Sequence, residues 1–263
     1  MMNFCSLYSG SSGNSLLVQS NYTNILVDSG VSGKKVEEAL DSLSIDASSL
    51  SGILVTHEHT DHIKSVGTIS KKYNIPVYAN METWNAMPEE RKKISIENQK
   101  VFSVGESFSI GDLDVLAFST PHDAANSCGF NIFNDNSKIS IATDLGHVTP
   151  EIMCYLENSK FILLESNYDP DVLKFSRYPY PLKMRINGPS GHLSNYLAGD
   201  VISHLIDNGL ERAMLGHLSK ENNFPELAYK TVVEQMSKNN IKEKSIDLSV
   251  ASRVQPSKIV KVS

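Results

Sequence analysis

The stretch "GILVTHEHTDH" (52–62) constrains this chain more than any other part of it. An apolar run ends at Thr56, and His57, His59, Asp61 and His62 follow at once. A continuous run of Ile, Leu and Val at this length reads as a buried strand. In extended chain, residues two apart face the same way, so His57 and His59 project together. The chain then turns into an amphipathic helix over 61–74, with Thr60 as its expected N-cap. All four side chains can therefore converge outside the strand end. Imidazole and carboxylate at this spacing suit a borderline divalent ion such as zinc or manganese. A merely solvated turn would give no reason for these residue types to crowd directly after a buried strand.

Four side chains from one turn cannot fill two metal sites, so further ligands are expected at other strand ends. His122 follows "LDVLAFSTP" (113–121), Asp144 follows "KISIAT" (138–143), and His217 follows "RAMLG" (212–216). Singly, each reads as a turn residue. Together, one ligand-type residue after each of three apolar strands points to a shared site. A weak internal echo supports a layered architecture. Residues 15–40 and 129–156 both run strand, turn, strand, Asp-x-Gly, helix, with Asp28 and Asp144 at matching points. The expectation is a single α/β domain over 1–263, a sandwich of two sheets between helical layers. Its two similar halves meet near 105–110.

The formal net charge of −6 argues against a general polyanion binder, although bound divalent cations would add positive charge locally. The longest apolar runs, such as "FILL" (161–164), are too short for a membrane span. The N-terminus has neither a basic n-region nor an apolar h-region, and the three cysteines form no C-x-x-C pair. These features predict a cytoplasmic chain with buried free thiols and no membrane partner.

The tetrapeptide GHLS occurs at 191–194 and again at 216–219. The second copy carries His217. The first places His192 just before "NYLAGDVISHLIDN" (195–208), a helix that Ser194 can cap and Asn208–Gly209 can end. A helix N-terminus also favours an anionic phosphate. His204, within that helix near Val201 and Leu205, reads as a partly buried structural histidine. Upstream, over 166–195, Lys174, Arg177, Lys183 and Arg185 outnumber Asp169 and Asp171, with Tyr178 and Tyr180 interleaved. Basic groups with aromatics can track a nucleic-acid backbone and stack on bases. By composition alone the segment also reads as a solvated loop. Ser11, Ser12 and Asn14 in "SLYSGSSGNS" (6–15) offer either phosphate contacts or a plain hairpin turn.

The H-x-H-x-D-H stretch, with later His, Asp and His at strand ends, resembles the metallo-β-lactamase superfamily. That resemblance implies a four-layer αββα sandwich with a dinuclear site at one edge. It implies His57, His59 and His122 on a first metal, Asp61, His62 and His217 on a second, and Asp144 bridging. Asp28 matches an early aspartate that supports the ligand loop from behind. The best-known lactamases carry Cys where this chain has Asp144, so the resemblance favours dinuclear thioesterases and phosphodiesterases. In the tRNase Z-like branch, a histidine before the last ligand assists the leaving group, and His192 stands in that place. "ESNYDPDVLKFSRYPYPLKMRINGPSGHLSN" (165–195) is similar to the YycJ/WalJ branch. That kinship implies a 5′→3′ DNA exonuclease, DNA rather than RNA, using two divalent ions (zinc or manganese). Asp61 and His192 would be catalytic, with Arg177, Tyr178, Lys183, Arg185, Ser12 and Asn14 toward substrate. The chain departs from the branch at His147, read here as a loop position. A small-molecule hydrolase of thioesters, lactones or cyclic phosphodiesters is the alternative on the same metal site.

Overall fold

The computed structural model describes residues 1–263. Strands β1 (Met2–Tyr8), β2 (Ser15–Gln19) and β3 (Asn24–Val27) form an antiparallel meander that leads into helix α1 (Gly33–Ser42). Next come β4 (Leu50–Leu54), α2 (Thr60–Ile63), α3 (Val66–Tyr73), β5 (Val77–Ala79), α4 (Met81–Ala86), α5 (Pro88–Arg91) and β6 (Gln99–Val101). Pairing is parallel from β3 through β6. The pattern then repeats. β7 (Ser107–Ile110), β8 (Leu113–Ser119), β9 (Cys128–Asn134) and β10 (Ser137–Ala142) pair antiparallel and lead into α6 (Pro150–Leu156). β11 (Phe161–Glu165), α7 (Pro170–Phe175), α8 (Tyr180–Ile186), α9 (Asn195–Asp207), β12 (Arg212–Gly216), α10 (Pro225–Lys238) and β13 (Asp247–Val250) complete the second sheet. There, pairing from β10 to β13 is parallel. Strand β14 (Val260–Val262) returns to lie antiparallel to β1. Each sheet thus has seven strands and changes from antiparallel to parallel in its middle.

Three apolar layers hold the sandwich. Phe4, Val27, Phe130, Phe161 and Leu163 fill the space between the sheets. Leu26 and Ile53 face the other way and pack with Val36, Leu40 and Ile69 of α1 and α3. Ile162, Leu164 and Leu215 do the same beneath Ala198, Ile202 and Val232 of α9 and α10. Strands covered on both faces have no polar side to show, which is why "FILL" and "AMLG" read as unbroken apolar runs. The αββα expectation is met. The two echoed segments also match in backbone detail: Asp28 and Asp144 both take the left-handed conformation, with φ of 61° and 57°.

Several local expectations are corrected. Residues 61–74 are two helices, and His59 rather than Thr60 occupies the first N-cap, without a side-chain bond. The break falls at Ser65, whose hydroxyl donates to the Val31 carbonyl at 2.7 Å and whose N–H donates to Ser29 at 2.9 Å. It lets His62 face the sheet edge while α3 packs on the outer layer. His204 is exposed and bonds Glu157 at 3.0 Å, because Ala198, Val201, Ile202 and Leu205 form the buried stripe of α9. Cys5 and Cys128 are buried free thiols, but Cys154 lies on the exposed side of α6. No helix is long and apolar enough to cross a membrane.

Candidate metal centre

The strands that carry candidate ligands all end at one edge of the sandwich. β3 and β4 run parallel, as do β10, β11 and β12. β8 points the same way because two antiparallel steps through β9 restore the direction. Asp28, His57, His122, Asp144, Glu165 and His217 sit at or just past these strand ends. Side chains from both sheets therefore converge without any long excursion of the chain.

Within this edge, ligand atoms of His57, His59 and His122 lie within 4.8 Å of one another. The same holds for Asp61, His62 and His217, and for His57, His62 and Asp144. Asp144 stands between the groups: Oδ2 is 3.1 Å from His62 Nε2, and Oδ1 is 3.6 Å from His122 Nε2. Neighbours fix the direction of each ring. Asp28 Oδ2 accepts from His62 Nδ1 at 2.7 Å, and its two oxygens also accept the N–H and hydroxyl of Thr56, each at 2.9 Å. The Gly191 carbonyl lies 3.0 Å from His122 Nδ1. A carbonyl can only accept, so that nitrogen carries the proton and Nε2 presents its lone pair inward.

The donor set fits divalent cations. His57 Nε2 is buried and makes no hydrogen bond, and the buried Asp144 Oδ2 has only its 3.1 Å contact with His62 Nε2. Native proteins rarely leave such atoms unpartnered, because each costs about 1–3 kcal/mol. Charge tells the same story. Burial alone would raise the Asp144 carboxyl, yet His217 and His62 hold it well below the usual carboxylate range. Burial would lower His217, yet Asp144, Asp61 and Glu165 push it up to about 10. His57, by contrast, is driven well down by burial and by His62. The cluster thus requires positive charge, which protons supply in the protein alone and a cation supplies while leaving the inward lone pairs free.

Sequence reasoning missed Glu165. This wholly buried carboxylate accepts from His192 Nδ1 at 2.8 Å and His217 Nδ1 at 2.9 Å through Oε1. Its Oε2 accepts the N–H of Leu145 at 2.9 Å and of Leu193 at 3.3 Å. The usable signal was the rule that found the candidate ligands: Glu165 is the acid that ends the apolar strand between those of Asp144 and His217. It fixes both rings with Nε2 outward. His217 Nε2 then lies 3.5 Å from Asp61 Oδ2. The side-chain hydrogen bond of His192 is made through Nδ1, which leaves Nε2 for a substrate, and the side chain is 18% exposed. Burial would lower the His192 imidazole, but the Glu165 charge and bond raise it above its ordinary value.

The ligand turn is stitched to the chain behind it. Asn14 N–H donates to Asp61 O at 2.8 Å, Ser29 N–H to His62 O at 2.8 Å, and Gly30 N–H to Asn14 O at 2.7 Å. A Cβ on Gly30 would stand 1.6 Å from the Asp61 carbonyl oxygen. Gly30→Ala is therefore expected to cost about 2–3 kcal/mol and to lower bound metal. Thermal unfolding together with elemental analysis checks this, and wild-type values for both would refute it.

The remaining predicted residues divide. Arg185 makes a double contact with Asp123, Nε at 2.5 Å and Nη2 at 3.1 Å, and Asp123 lies 3.4 Å from His122 Nε2. Arg185 is thus at the lip of the centre. Lys183 instead donates to the carbonyls of Lys174 and Ser176, both at 2.7 Å, which closes the C-terminal end of α7. Tyr178 packs partly buried against Tyr168, Leu173 and Ile186. Arg177 and Ser12 are exposed. Asn14 is buried, with Nδ2 3.1 Å from His62 Nε2, and braces the ligand turn. His147 is exposed, with Nδ1 2.9 Å from the Pro189 carbonyl.

Known proteins resemble this chain in sequence and in fold. Residues 23–218 match the family described as the beta-lactamase superfamily domain. Exodeoxyribonuclease YycJ of Bacillus anthracis is 38% identical over 231 residues, covering 88% of each chain. Exodeoxyribonuclease WalJ of Streptococcus pneumoniae is 36% identical over 237 residues, 89% of this chain and 88% of that one. Among solved structures, the metallo-beta-lactamase fold protein YhfI of Bacillus subtilis superposes with a TM-score of 0.70 at 15% identity, covering 97% and 98% of the two chains. The short form of human tRNase Z gives 0.68 at 14% identity, covering 99% of each. These two share the fold. The chain belongs to the beta-lactamase superfamily, in the branch that holds the YycJ and WalJ proteins.

Proposed function

We propose that this chain is a cytoplasmic, dinuclear metal-dependent phosphodiesterase that acts on DNA as a 5′→3′ exonuclease. The observation that carries the phosphodiester reading is His192. It stands beside the ligand cluster, is held by Glu165 through Nδ1, and leaves Nε2 free on a side chain that is partly exposed. A departing alkoxide needs a proton, whereas a thiolate leaves readily without one, so this placement favours diesters over thioesters. The DNA and exonuclease parts rest on kinship with YycJ and WalJ. His57, His59 and His122 would hold one divalent ion, Asp61, His62 and His217 the other, with Asp144 shared. Bound there, such ions supply Lewis acidity, acidifying water and neutralising phosphoryl charge. Asp61, 28% exposed, can take a proton from the attacking side. His192 gives its Nε2 proton to the 3′-oxygen that leaves, and Glu165 stabilises the charged ring meanwhile. Arg185 lies where a neighbouring phosphate can be gripped, and the exposed Arg177 adds to the electrostatic approach.

The test uses 5′- and 3′-labelled single- and double-stranded DNA and RNA with manganese, zinc or magnesium. The expected result is labelled mononucleotide released first from the 5′ end of DNA. Hydrolysis of thioesters or lactones with every nucleic acid left intact would sink the reading in favour of a small-molecule hydrolase.

A further inference from the structure

Residues Tyr180, Lys183, Met184 and Asn187 recur at helical spacing, so they share one face of α8 and its end. Such a stripe normally packs into a core. Here Tyr180 is 73% and Met184 51% exposed. Opposite them stand Leu173 and Lys174 of α7, and the two helices enclose an open cavity of 560 Å³. That volume falls within the roughly 300–1,000 Å³ of small-ligand sites.

We propose that this cavity is the subsite for one unstacked base of the DNA strand, the base next to the scissile phosphate. The inference rests on the nuclease reading above and names where that substrate is gripped. Three observations favour a nucleotide over any other occupant. First, the cavity joins the catalytic edge. The Ile186 carbonyl at the end of α8 accepts the His192 N–H at 2.9 Å, and Gly191 N–H donates to Gly188 at 2.9 Å. With about 1.5 Å of rise per residue, α8 spans only about 10 Å, so a base flanking a phosphodiester at His192 can reach it. Second, the lining combines flat apolar surface with cations. Tyr180 and Met184 offer a stacking wall, while Lys174 brings an ammonium group and Lys183, bonded to the end of α7, adds its charge to the rim, in a chain of net charge −6. Third, Asn187 carries a free donor group. Its Oδ1 accepts the Tyr168 hydroxyl at 2.6 Å, which leaves the Nδ2 hydrogens of this cavity-lining residue for an acceptor such as a base edge.

The experiment compares kcat/KM for a single-stranded oligonucleotide with that for bis(p-nitrophenyl) phosphate, a diester without bases. Tyr180→Ala is expected to lower the ratio of the two about tenfold. Tyr180→Phe, which keeps the stacking ring, holds it within about twofold. Phe175→Ala removes an aromatic that is 80% exposed but outside the cavity lining, and leaves the ratio in place. An abasic residue next to the scissile phosphate reproduces the Tyr180→Ala loss in the wild-type protein. A ratio unmoved by Tyr180→Ala, while the wild type still digests DNA, overturns the subsite and leaves the nuclease reading standing. A wild-type dimer that Tyr180→Ala dissociates with no change in ratio overturns it too, and assigns the face to a second copy. A wild type that hydrolyses the simple diester but no oligonucleotide removes the nuclease reading itself, and the subsite with it.

Discussion

Replacing His192 by alanine is expected to lower kcat about 10³-fold, within the range of lost acid catalysis, while bound metal stays at its wild-type level. His192 makes its hydrogen bond to Glu165, which it shares with His217, and its Nδ1 lies 3.7 Å from Asp144 Oδ1 without bonding it. Its Nε2 faces outward, and Asp144 remains held by His62 and His217 after the ring is gone. The loss therefore appears in kcat and kcat/KM together, with KM little changed, as for an interaction made only in the transition state. A substrate with a better leaving group, such as a p-nitrophenyl ester, should lose far less, because a weakly basic oxygen departs without a proton. His59→Ala is the control, since its ring lies 4.6 Å from that of His57 and belongs to the first histidine triad. It should lose metal and activity together. Equal metal loss in His192→Ala, or an equal fall with both leaving groups, would show that His192 does not supply the proton.

Much of the centre was legible because one rule governs it. A metal-ligating or charged residue that directly follows a fully apolar strand has to end up at the strand's exit. Parallel strands in the two sheets make those exits coincide. His57, His59, His122, Asp144 and His217 could be found this way, and Asp28 by its echo of Asp144. Glu165 obeyed the same rule but escaped it, since a glutamate after "FILL" also reads as the first solvated residue of a loop. Only the pairing of β11 between β10 and β12 shows that it is enclosed. The split at Ser65 was hidden for a different reason. The helical period continues across it, and the bonds to Ser29 and Val31 that cause the break come from a distant segment. The two short helices in 165–195 lack enough turns to display a period, and so does β14, whose partner lies at the other end of the chain. Long-range pairing, not local preference, decides all of these.

Glu165→Gln is expected to be the more damaging change, although it alters a single atom. The carboxylate accepts four N–H groups, two from imidazoles and two from backbone. Glutamine has one oxygen and one NH2 to place against them. Whichever way the amide turns, a donor faces donors in a buried site, at a cost of about 1–3 kcal/mol per unmatched group. If the amide faces the rings, His192 and His217 lose their fixed tautomer together. Metal affinity should fall about 10–100-fold through His217, and kcat at saturating metal should fall at least as far as in His192→Ala. In the double variant the kcat losses should overlap rather than add, because both act through one proton donor, while the affinity loss persists. Acid provides an independent check on the metal-free protein. Burial would raise the Glu165 carboxyl, but His192 and His217 hold it below its ordinary value. A depressed carboxyl stabilises the fold above the unfolded glutamate range, and that contribution disappears as pH falls through the folded value. The stability gap between wild type and Glu165→Gln should thus be full at neutral pH and narrow on acidification. A gap that is constant across this range, or losses in kcat that multiply in the double variant, would show that Glu165 acts on neither ring as an ionised acceptor.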